Sequence, residues 1–417
     1  MTILENLFDI ISTAKLDAKF FLENEYKFIN IKFGEDISAN RLYLSDNLNC
    51  IVDLMKNGYK GKIDLIYLDP PFFTNLNFKN TIKIKYDDEE IYIKRKDFTD
   101  KYDGGLAEYI YNIALRLVLI KELMSDKGSI YIHVDSRVNH YIRFILDEVF
   151  GERNFVNEII WAYKSGGASK RRFARKHDNI YFYSKTNNYI FNQMNEKSYN
   201  RGLKPYKFKN IMEYQDELGW YTIVKSRDVW MIDMVGRTSS ERVKYSTQKP
   251  LELLKKIILA SSNENSLIAD FYLGSGSTAV AADILKRRWI GCDQNPISII
   301  TLDKRLNNGL FQLYIEEKYL KEPNRFIIEL KKINKQLDIF IKDYLDPIKE
   351  LAESPSLFVE QIYICKKYFY EFKILSKIDK STIKNNKFEI NISDSFNSQL
   401  YAVIVDVMGN VDYHKLI

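Results

Sequence analysis

The chain has 417 residues, of which 46% are hydrophobic and 28% are charged, and its formal net charge is +6. This composition excludes a disordered chain and provides for one large or two ordinary domains. No apolar run approaches the length of a membrane span, and the first residues do not form a signal-peptide pattern. The three cysteines, Cys50, Cys292 and Cys365, lack pair or metal spacing, so we expect a reduced cytoplasmic protein without a metal site or a membrane partner.

The first elements that the sequence predicts are a mixed helical segment over residues 1–30 and a strand that starts near Leu42. This strand leads into a turn and a helix that reaches Met55. Asp46 lies in the turn, where it is either a ligand contact or the N-terminal cap of the helix.

The segment 64–72, D-L-I-Y-L-D-P-P-F, is a short apolar run that ends in an acid, two prolines and an aromatic residue. Branched and aromatic side chains followed by prolines predict a buried strand that runs into a loop. Asp69 therefore lies at the carboxyl end of a strand, the edge at which open α/β sheets bind ligands. A strand followed by a rigid turn would have the same pattern without any chemistry.

This segment suits attack by the exocyclic amine of adenine or cytosine, a poor nucleophile because its lone pair is delocalised into the ring. Two acceptors, the carboxylate of Asp69 and the main-chain carbonyl of Pro70, would localise that pair. Pro70 and Pro71 have no backbone N–H, so the loop presents acceptors without competing donors. The ring of Phe72 could stack on a base that has been flipped out of a duplex.

Residues 73–102 are polar and lack helical periodicity, which predicts a mobile connection over the site. A helix is predicted over 106–124, a strand over 129–135 and a second helix over 141–150. His133 lies inside the apolar strand, where a structural role is favoured over a catalytic one.

Between residues 164 and 209, twelve lysines and arginines stand against two acids. Aromatic residues are interleaved with these basic residues. Basic side chains suit contacts with phosphates and aromatic rings suit stacking on bases, although a solvated surface would also explain the pattern. The candidate DNA contacts lie in a glycine-bearing loop and are Lys170, Arg171, Arg172, Arg175 and Lys176. The interleaved aromatic residues are Phe173, Tyr181, Tyr183, Tyr199, Tyr206 and Phe208. From 186 to 243 the pattern weakens, which predicts an inserted recognition segment outside the sheet.

A second group of motifs starts after residue 245, where S-T-Q-K-P opens an amphipathic helix. The strand 266–271 then runs into a glycine turn and a helix of small residues. Gly274 and Gly276 would permit a tight turn against a cofactor. The next strand ends in Asp293, where nucleotide-binding sheets place a carboxylate on ribose hydroxyls. This nucleotide site and the Asp69 segment fit a single sheet, in which they would share one cavity.

These motifs resemble the permuted, amino-group DNA methyltransferases of the β class, whose adenine-specific members include the modification subunits of restriction systems. In that family D-P-P-[YF] precedes the recognition region, followed by T-Q-K-P, D-P-F-x-G-S-G-T and a G-x-[DE] strand. The corresponding segments here are 69–72, 247–250, 270–277 and 291–293, and the resemblance covers residues 40–305. It implies an α/β fold with a Rossmann-like methyltransferase sheet in circularly permuted motif order, an inserted target-recognition region and a small C-terminal domain.

The resemblance also implies the reaction, in which S-adenosylmethionine is the methyl donor and N6 of adenine in double-stranded DNA is the acceptor. It assigns the catalytic motif to Asp69, Pro70, Pro71 and Phe72. It assigns cofactor contacts to Asp46, Thr247, Lys249, Asp270, Phe271, Gly274, Gly276 and Asp293. Phe271, Tyr272 and Ser277 differ from the family pattern, so we expect an adjusted cofactor pocket. Further partners within this resemblance are a second copy of the chain and a restriction endonuclease, at a prokaryotic, nucleoid-associated location.

The predicted regions are 30–185 for the catalytic half, 186–243 for target recognition, 244–312 for the cofactor-binding half and 316–417 for an accessory domain. The last region is predicted to begin as long charged helices and to end in a strand over 400–406. Its triplet Glu371-Phe372-Lys373 matches half of a nuclease motif without a convincing partner acid.

Four other functions share some of these features. N4 methylation of cytosine and RNA methylation would use the same D-P-P-F chemistry. A nicotinamide-dependent dehydrogenase also uses G-x-G-x-x-A, and a non-catalytic DNA-binding subunit would explain the altered residues 270–272. Methylation of cytosine carbon 5 is excluded, because it needs a cysteine after a proline and none of the three cysteines follows one.

Overall fold

The structure is a computed structural model that describes residues 3–32, 40–86, 89–165, 167, 169–208, 210–243, 245, 247–306, 310–320, 324–333, 336–346, 354–368, 371–391, 399–408 and 410–416. Gly166, Ala168, Lys209 and Ser246, which belong to predicted motifs, lie outside the described residues, as do the side chains of residues 371–373.

The helices, in chain order, are α1 (Ile3–Phe21), α2 (Asn47–Lys56), α3 (Gly105–Leu123), α4 (Asn139–Phe150), α5 (Leu251–Ser261), α6 (Ser277–Ile284) and α7 (Ile297–Arg305). The strands of the first half are β1 (Phe28–Lys32), β2 (Arg41–Leu44), β3 (Ile63–Leu68), β4 (Asn77–Tyr86), β5 (Glu89–Thr99), β6 (Met124–Val134), β7 (Phe155–Ala162), β8 (His177–Ser184), β9 (Asn195–Tyr199), β10 (Glu213–Asp216), β11 (Gly219–Lys225) and β12 (Val229–Met231). Those of the second half are β13 (Leu267–Asp270), β14 (Arg288–Asp293), β15 (Gln312–Glu316), β16 (Phe326–Ile333), β17 (Gln336–Tyr344), β18 (Val359–Tyr368), β19 (Glu371–Asp379), β20 (Lys387–Asn391), β21 (Leu400–Asp406) and β22 (Val411–Lys415).

Within the described residues, fourteen strands form one sheet in the order β12-β7-β8-β6-β3-β13-β14-β2-β15-β1-β19-β18-β21-β22. The centre of this sheet, from β6 to β15, is parallel. Its strands are short apolar runs because helices cover both faces. β13 and β14 lie between β3 and β2 although they come much later in the chain, which is the circularly permuted arrangement that the motif order predicted.

Two helical layers enclose the central sheet. α1, α2, α3 and α4 share a hydrophobic core with one face of the sheet, and α5, α6 and α7 pack against the other. This layered α/β architecture confirms the predicted fold class. Among the described helices, none is both long and apolar enough to span a membrane.

Four acidic residues meet at the carboxyl edge of the parallel strands. Asp69 follows β3 directly, Asp270 is the last residue of β13, Asp293 is the last residue of β14, and Asp46 lies two residues beyond β2. Because β3, β13, β14 and β2 are neighbours in the sheet, residues that are distant in the chain are brought to the same edge.

The segment predicted as a mobile connection over the site forms an antiparallel hairpin, so the expectation of a connection without regular structure is wrong. β4 and β5 pair along their whole length. Ile84 and Ile93 are buried, and they pack with the C-terminal strands, with Ile82 and Ile91 packed against the same cluster. The apolar residues alternate with polar ones along both strands, which is the period of a half-buried strand. A search for helical periodicity alone misses this pattern.

The segment 186–243 contains a small antiparallel sheet of β9, β10 and β11. Its last strand, β12, pairs in parallel with β7 at the edge of the central sheet, where Trp230 lies opposite Trp161. Both tryptophans are buried. The expectation that the whole segment lies outside the sheet is therefore wrong for β12.

The C-terminal region consists of strands where long charged helices were expected, and that expectation is wrong. In β17, Leu337, Ile339 and Ile341 are buried at every second position, so the period is two. β16, β17 and β20 form a separate small sheet, whereas β18, β19, β21 and β22 continue the central sheet beyond β1. The predicted strand over 400–406 is confirmed as β21.

Candidate functional site

One cavity of about 430 Å³ lies at the carboxyl edge of the parallel strands. Asp69 and Phe72 line it on one side, and Gly274 and Asp293 line it on the other. The volume lies within the range of small-molecule sites. The acid before the twin prolines and the glycine turn therefore open into a single shared cavity, as the sequence predicted.

Asp69 is held between two basic side chains at the wall of this cavity. Its Oδ2 atom pairs with the ammonium of Lys249, and its Oδ1 atom lies 3.7 Å from Nδ1 of His133. No hydrogen-bond donor within the described part of the chain reaches Oδ1, which is buried. The Lys249 ammonium also lies 5.7 Å from the centre of the Phe72 ring. Lys249 thus contacts two members of the predicted catalytic motif.

The loop after Asp69 is fixed by an acid that sequence reasoning did not single out. The carboxylate of Asp100, which is fully buried, accepts hydrogen bonds from the main-chain N–H of Phe73 (3.1 Å) and from the N–H and hydroxyl of Thr74 (2.6 and 2.7 Å). Asp100 directly follows β5, so the hairpin holds the loop that carries the two prolines. The same hairpin adds Phe78 and Phe98, stacked with ring centres 4.4 Å apart, to the cavity wall.

On the glycine side, a buried carboxylate, Asp270, and a half-buried one, Asp293, organise the turn. Asp270 accepts from the N–H of Tyr272 (2.9 Å) and from the hydroxyl of Thr278 (2.5 Å), and burial raises the pKa of Asp270 to about 7. Asp293 accepts from the N–H of Gly274 at 2.7 Å, and burial raises its pKa to about 6. The two acids, at the ends of β13 and β14, therefore hold the glycine turn in place at the wall of the cavity.

The two glycines of the turn have different roles. Gly274 has φ +55° and lines the cavity, where an added Cβ would meet only Tyr245 at 3.5 Å among side chains. Gly276 has φ +82°, and an added Cβ would lie 2.6 Å from Cδ1 of Leu302 on α7. Gly276 is not among the residues that line the cavity, and its conformation serves the packing of α7, so its contact with the cofactor stays a prediction.

Asp46 is the cap of α2, one of the two interpretations that the sequence left open. Its Oδ1 accepts from the N–H of Leu48 (2.9 Å) and from Arg116 (3.1 Å), and its Oδ2 accepts from Gln294 (2.9 Å). Its neighbours Ser45 and Asn47 line the cavity, whereas Asp46 does not. The other assigned cofactor residues that line the cavity are Thr247, Lys249, Asp270 and Phe271.

The basic loop joins β7 to β8 at the same edge of the sheet. Lys170, Arg171, Arg172 and Arg175 are exposed, and Lys176 donates to the carbonyls of residues 164 and 165 (3.3 and 3.0 Å), which closes the base of the loop. Phe173, between them, is completely exposed. Tyr181 and Tyr183 are buried in β8, so these two aromatic residues are not available to bases, and that part of the expectation is wrong.

His133, for which the sequence favoured a structural role, lies next to Asp69. It is fully buried on β6, where the pairing of Ile132 with Leu68 brings it beside Asp69. Its Nδ1 lies 2.9 Å from the Tyr67 hydroxyl, and its Nε2 lies 3.1 Å from Oδ2 of Asp178. A histidine one position before the end of a strand that neighbours a motif strand was the signal in the sequence.

Comparisons with known proteins identify the family of this chain. A family model described as DNA methylase matches residues 63–301, more than half of the chain. The type II methyltransferase M.EcaI of Enterobacter cloacae is 27% identical over 364 residues, which cover 71% of this chain and 77% of that protein. The type II methyltransferase M2.MboI of Moraxella bovis is 32% identical over 273 residues, 62% of this chain and 84% of that protein.

Among solved structures, the M1.HpyAVI–SAM complex aligns with a TM-score of 0.40 at 22% identity, over 64% of this chain and 98% of that one. The family match, by contrast, spans both walls of the cavity, from β3 with its Asp69 turn to the strand that ends at Asp293. The chain therefore belongs to the DNA methylase family, the amino-group methyltransferases of restriction-modification type.

Proposed function

We propose that this chain is a site-specific DNA methyltransferase that transfers a methyl group from S-adenosylmethionine to N6 of adenine in double-stranded DNA. The observation that carries the proposal is the shared cavity, in which Asp69 faces the glycine turn. The D-P-P-F form of the catalytic motif supports adenine through its resemblance to adenine-specific enzymes. The related proteins M.EcaI and M2.MboI, both named type II methyltransferases, support DNA as the substrate.

The residues on the glycine side fit S-adenosylmethionine. Gly274 presents main chain without a side chain to the cavity, and Asp293 lies at the end of the neighbouring strand, where a carboxylate can accept from ribose hydroxyls. Phe271 and Tyr272, which differ from the family pattern, both line the cavity and leave it open. When bound, this cofactor supplies a methyl group activated for attack by a nucleophile.

On the other side, the chain orients the amine that receives the methyl group. The target amine takes the place of the Lys249 ammonium at Oδ2 of Asp69, and the main-chain carbonyl of Pro70 accepts its second N–H. Phe72 supports the face of the base, which must leave the duplex to enter the cavity. Catalysis then consists mainly of orientation, because the reacting atoms are held in line.

DNA contact is assigned to the basic loop and to the segment 186–243. Lys170, Arg171, Arg172 and Arg175 are exposed at the edge of the sheet that carries Asp69, so phosphate contacts there would hold the duplex over the cavity. The small sheet of β9, β10 and β11 is assigned to sequence readout, and residues 316–417 to an accessory role.

The test is incubation of the purified protein with labelled S-adenosylmethionine and duplex DNA, followed by digestion to nucleosides. We expect the label in N6-methyladenine at a defined sequence context. Label in N4-methylcytosine would replace adenine by cytosine in the proposal. Absence of label in DNA, with the protein folded and the cofactor bound, would instead support a non-catalytic DNA-binding subunit.

A further inference from the structure

His133 lies in the interior with acids on two sides. Its Nε2 is 3.1 Å from a carboxylate oxygen of Asp178, and its Nδ1 is 3.7 Å from the unpartnered Oδ1 of Asp69. The imidazole therefore bridges the catalytic-motif acid and a second acid on β8. Asp178 in turn accepts from the hydroxyl of Tyr163 at 3.3 Å.

The protonation of this group follows from its partners. Burial raises the pKa of Asp178, but the hydrogen bonds from His133 and Tyr163 and the charge of Lys249 outweigh burial and lower it below its usual value. Asp178 is then a carboxylate, which only accepts, so the hydrogen of the neutral imidazole lies on Nε2. The lone pair is left on Nδ1, where the Tyr67 hydroxyl donates to it at 2.9 Å. Tyr67 keeps its proton, because burial and the charge of Asp69 raise its pKa.

We propose that His133, held by Asp178, takes up the proton that the target amine loses on methylation, and that Asp69 passes this proton to it. The inference rests on the proposed function, since it concerns the amine at Asp69. The arrangement is that of a histidine base oriented by a carboxylate on its far side, with the acid of the D-P-P-F motif between base and substrate.

The step balances in atoms and charge. The amine nitrogen uses its lone pair to form the new N–C bond, and the electrons of the broken C–S bond remain on sulfur. The nitrogen, now positively charged, releases one proton to Oδ2 of Asp69. Rotation of the carboxyl group then brings this proton to Nδ1 of His133, while the Tyr67 hydroxyl turns its own hydrogen away from that nitrogen and accepts from the new N–H. The positive charge that was on sulfur before the reaction ends on the imidazolium, where the Asp178 carboxylate stabilises it.

The charged and titratable groups that face His133 come from several elements. Tyr67 and Asp69 belong to β3 and the turn after it, Asp178 to β8, and Lys249 to the segment before α5. Phe72 and Trp161 pack on the ring and exclude water, with ring centres 5.6 and 5.2 Å away. A proton released in this enclosed place needs a resident acceptor, and the structure offers His133.

The experiment measures the single-turnover rate of methyl transfer against pH for the full-length protein preloaded with S-adenosylmethionine and duplex DNA. The wild-type rate should fall as the pH is lowered, because an already protonated His133 cannot accept. His133→Gln should lower the rate by about 100-fold or more and abolish the fall of the rate at low pH, the acid limb of the profile. Asp178→Asn, at the far end of the pair, should lower the rate by at least about tenfold and shift the limb to lower pH.

His140→Gln is the matched control, since His140 is exposed on α4 and does not line the cavity. It should leave the profile unchanged, and cofactor affinity should be the same in all variants. If His133→Gln does not fold, the pH profile of Asp178→Asn tests the inference, because the asparagine amide can keep the hydrogen bond to the His133 ring. Variants that transfer methyl groups at the wild-type rate with the wild-type pH profile would overturn the inference. A wild-type protein that methylates no DNA would instead overturn the proposed function.

Discussion

The ammonium of Lys249 pairs with the carboxylate of Asp69, although 180 positions separate them in the chain. Both side chains are largely buried, with 11% and 15% of their surfaces exposed. A cation thus occupies the acceptor that the proposed reaction requires for the target amine. The pair also joins the two halves of the site, since Asp69 follows β3 and Lys249 precedes α5.

The first prediction concerns Asp69. Asp69→Ala should lower methyl transfer by at least about 100-fold, because the amine loses the acceptor that orients it, while cofactor affinity stays close to that of the wild type. Turnover with labelled cofactor and a separate binding titration measure the two effects. Asp103→Ala, which removes an exposed acid, is the control. A variant at Asp69 with wild-type turnover would refute this assignment.

The second prediction concerns the packing role of Gly276. Gly276→Ala should lower the free energy of unfolding by about 1–3 kcal/mol. The alanine would be held at a positive φ, and its Cβ would press against Leu302. Urea unfolding measures this change. Shortening the neighbour in Gly276→Ala/Leu302→Ala should make the two costs less than additive. Full additivity would show that the contact with Leu302 is not the cause.

The third prediction concerns stability against pH. Burial raises the pKa of Asp270 to about 7, so the folded chain holds a proton that the unfolded chain releases above about pH 4. The stabilisation is complete at low pH and is lost as the pH rises through about 7.

Asp270→Asn keeps an acceptor for Tyr272 and a donor for Thr278 without the titrating group. Its free energy of unfolding should fall less than that of the wild type between about pH 4 and 7. A smaller decrease up to about pH 6 should remain, because burial raises the pKa of Asp293 to about 6. Equal slopes in both proteins, measured without cofactor, would contradict the raised pKa of Asp270.

The fourth prediction concerns the basic loop. Lys170→Ala/Arg171→Ala/Arg172→Ala should weaken duplex binding and lower the slope of log affinity against log salt by about 0.9 for each DNA phosphate that the loop no longer neutralises. Fluorescence anisotropy over a salt series measures this slope. The control Lys19→Ala/Lys60→Ala/Lys286→Ala removes the same charge from exposed positions elsewhere. An identical salt slope for both triple variants would exclude the loop from the DNA interface.

The cavity could be predicted from the sequence because its motifs are local. An apolar run closed by prolines makes Asp69 a strand end, and a glycine turn between two strands does the same for Asp270 and Asp293. Parallel strands then bring these ends to one edge without further information. The pattern of residues within each segment was sufficient for this part of the site.

The contacts of His133, Asp100 and Lys249 with the Asp69 segment could not be predicted in this way. Each depends on a tertiary contact, namely the register of β6 on β3, the hairpin that follows the proline loop, and the approach of the segment before α5 to Asp69. The C-terminal strands were missed for a different reason, because the lysines and acids among their residues hid a burial pattern of period two.

The central claim is that one cavity holds both the methyl donor and the target amine. A crystal structure of the protein with S-adenosylmethionine tests it most directly. We expect the adenosine part beside Gly274 and Asp293 and the methyl group directed toward Asp69. A cofactor bound elsewhere, or one whose methyl group is separated from Asp69 by protein, would contradict the claim.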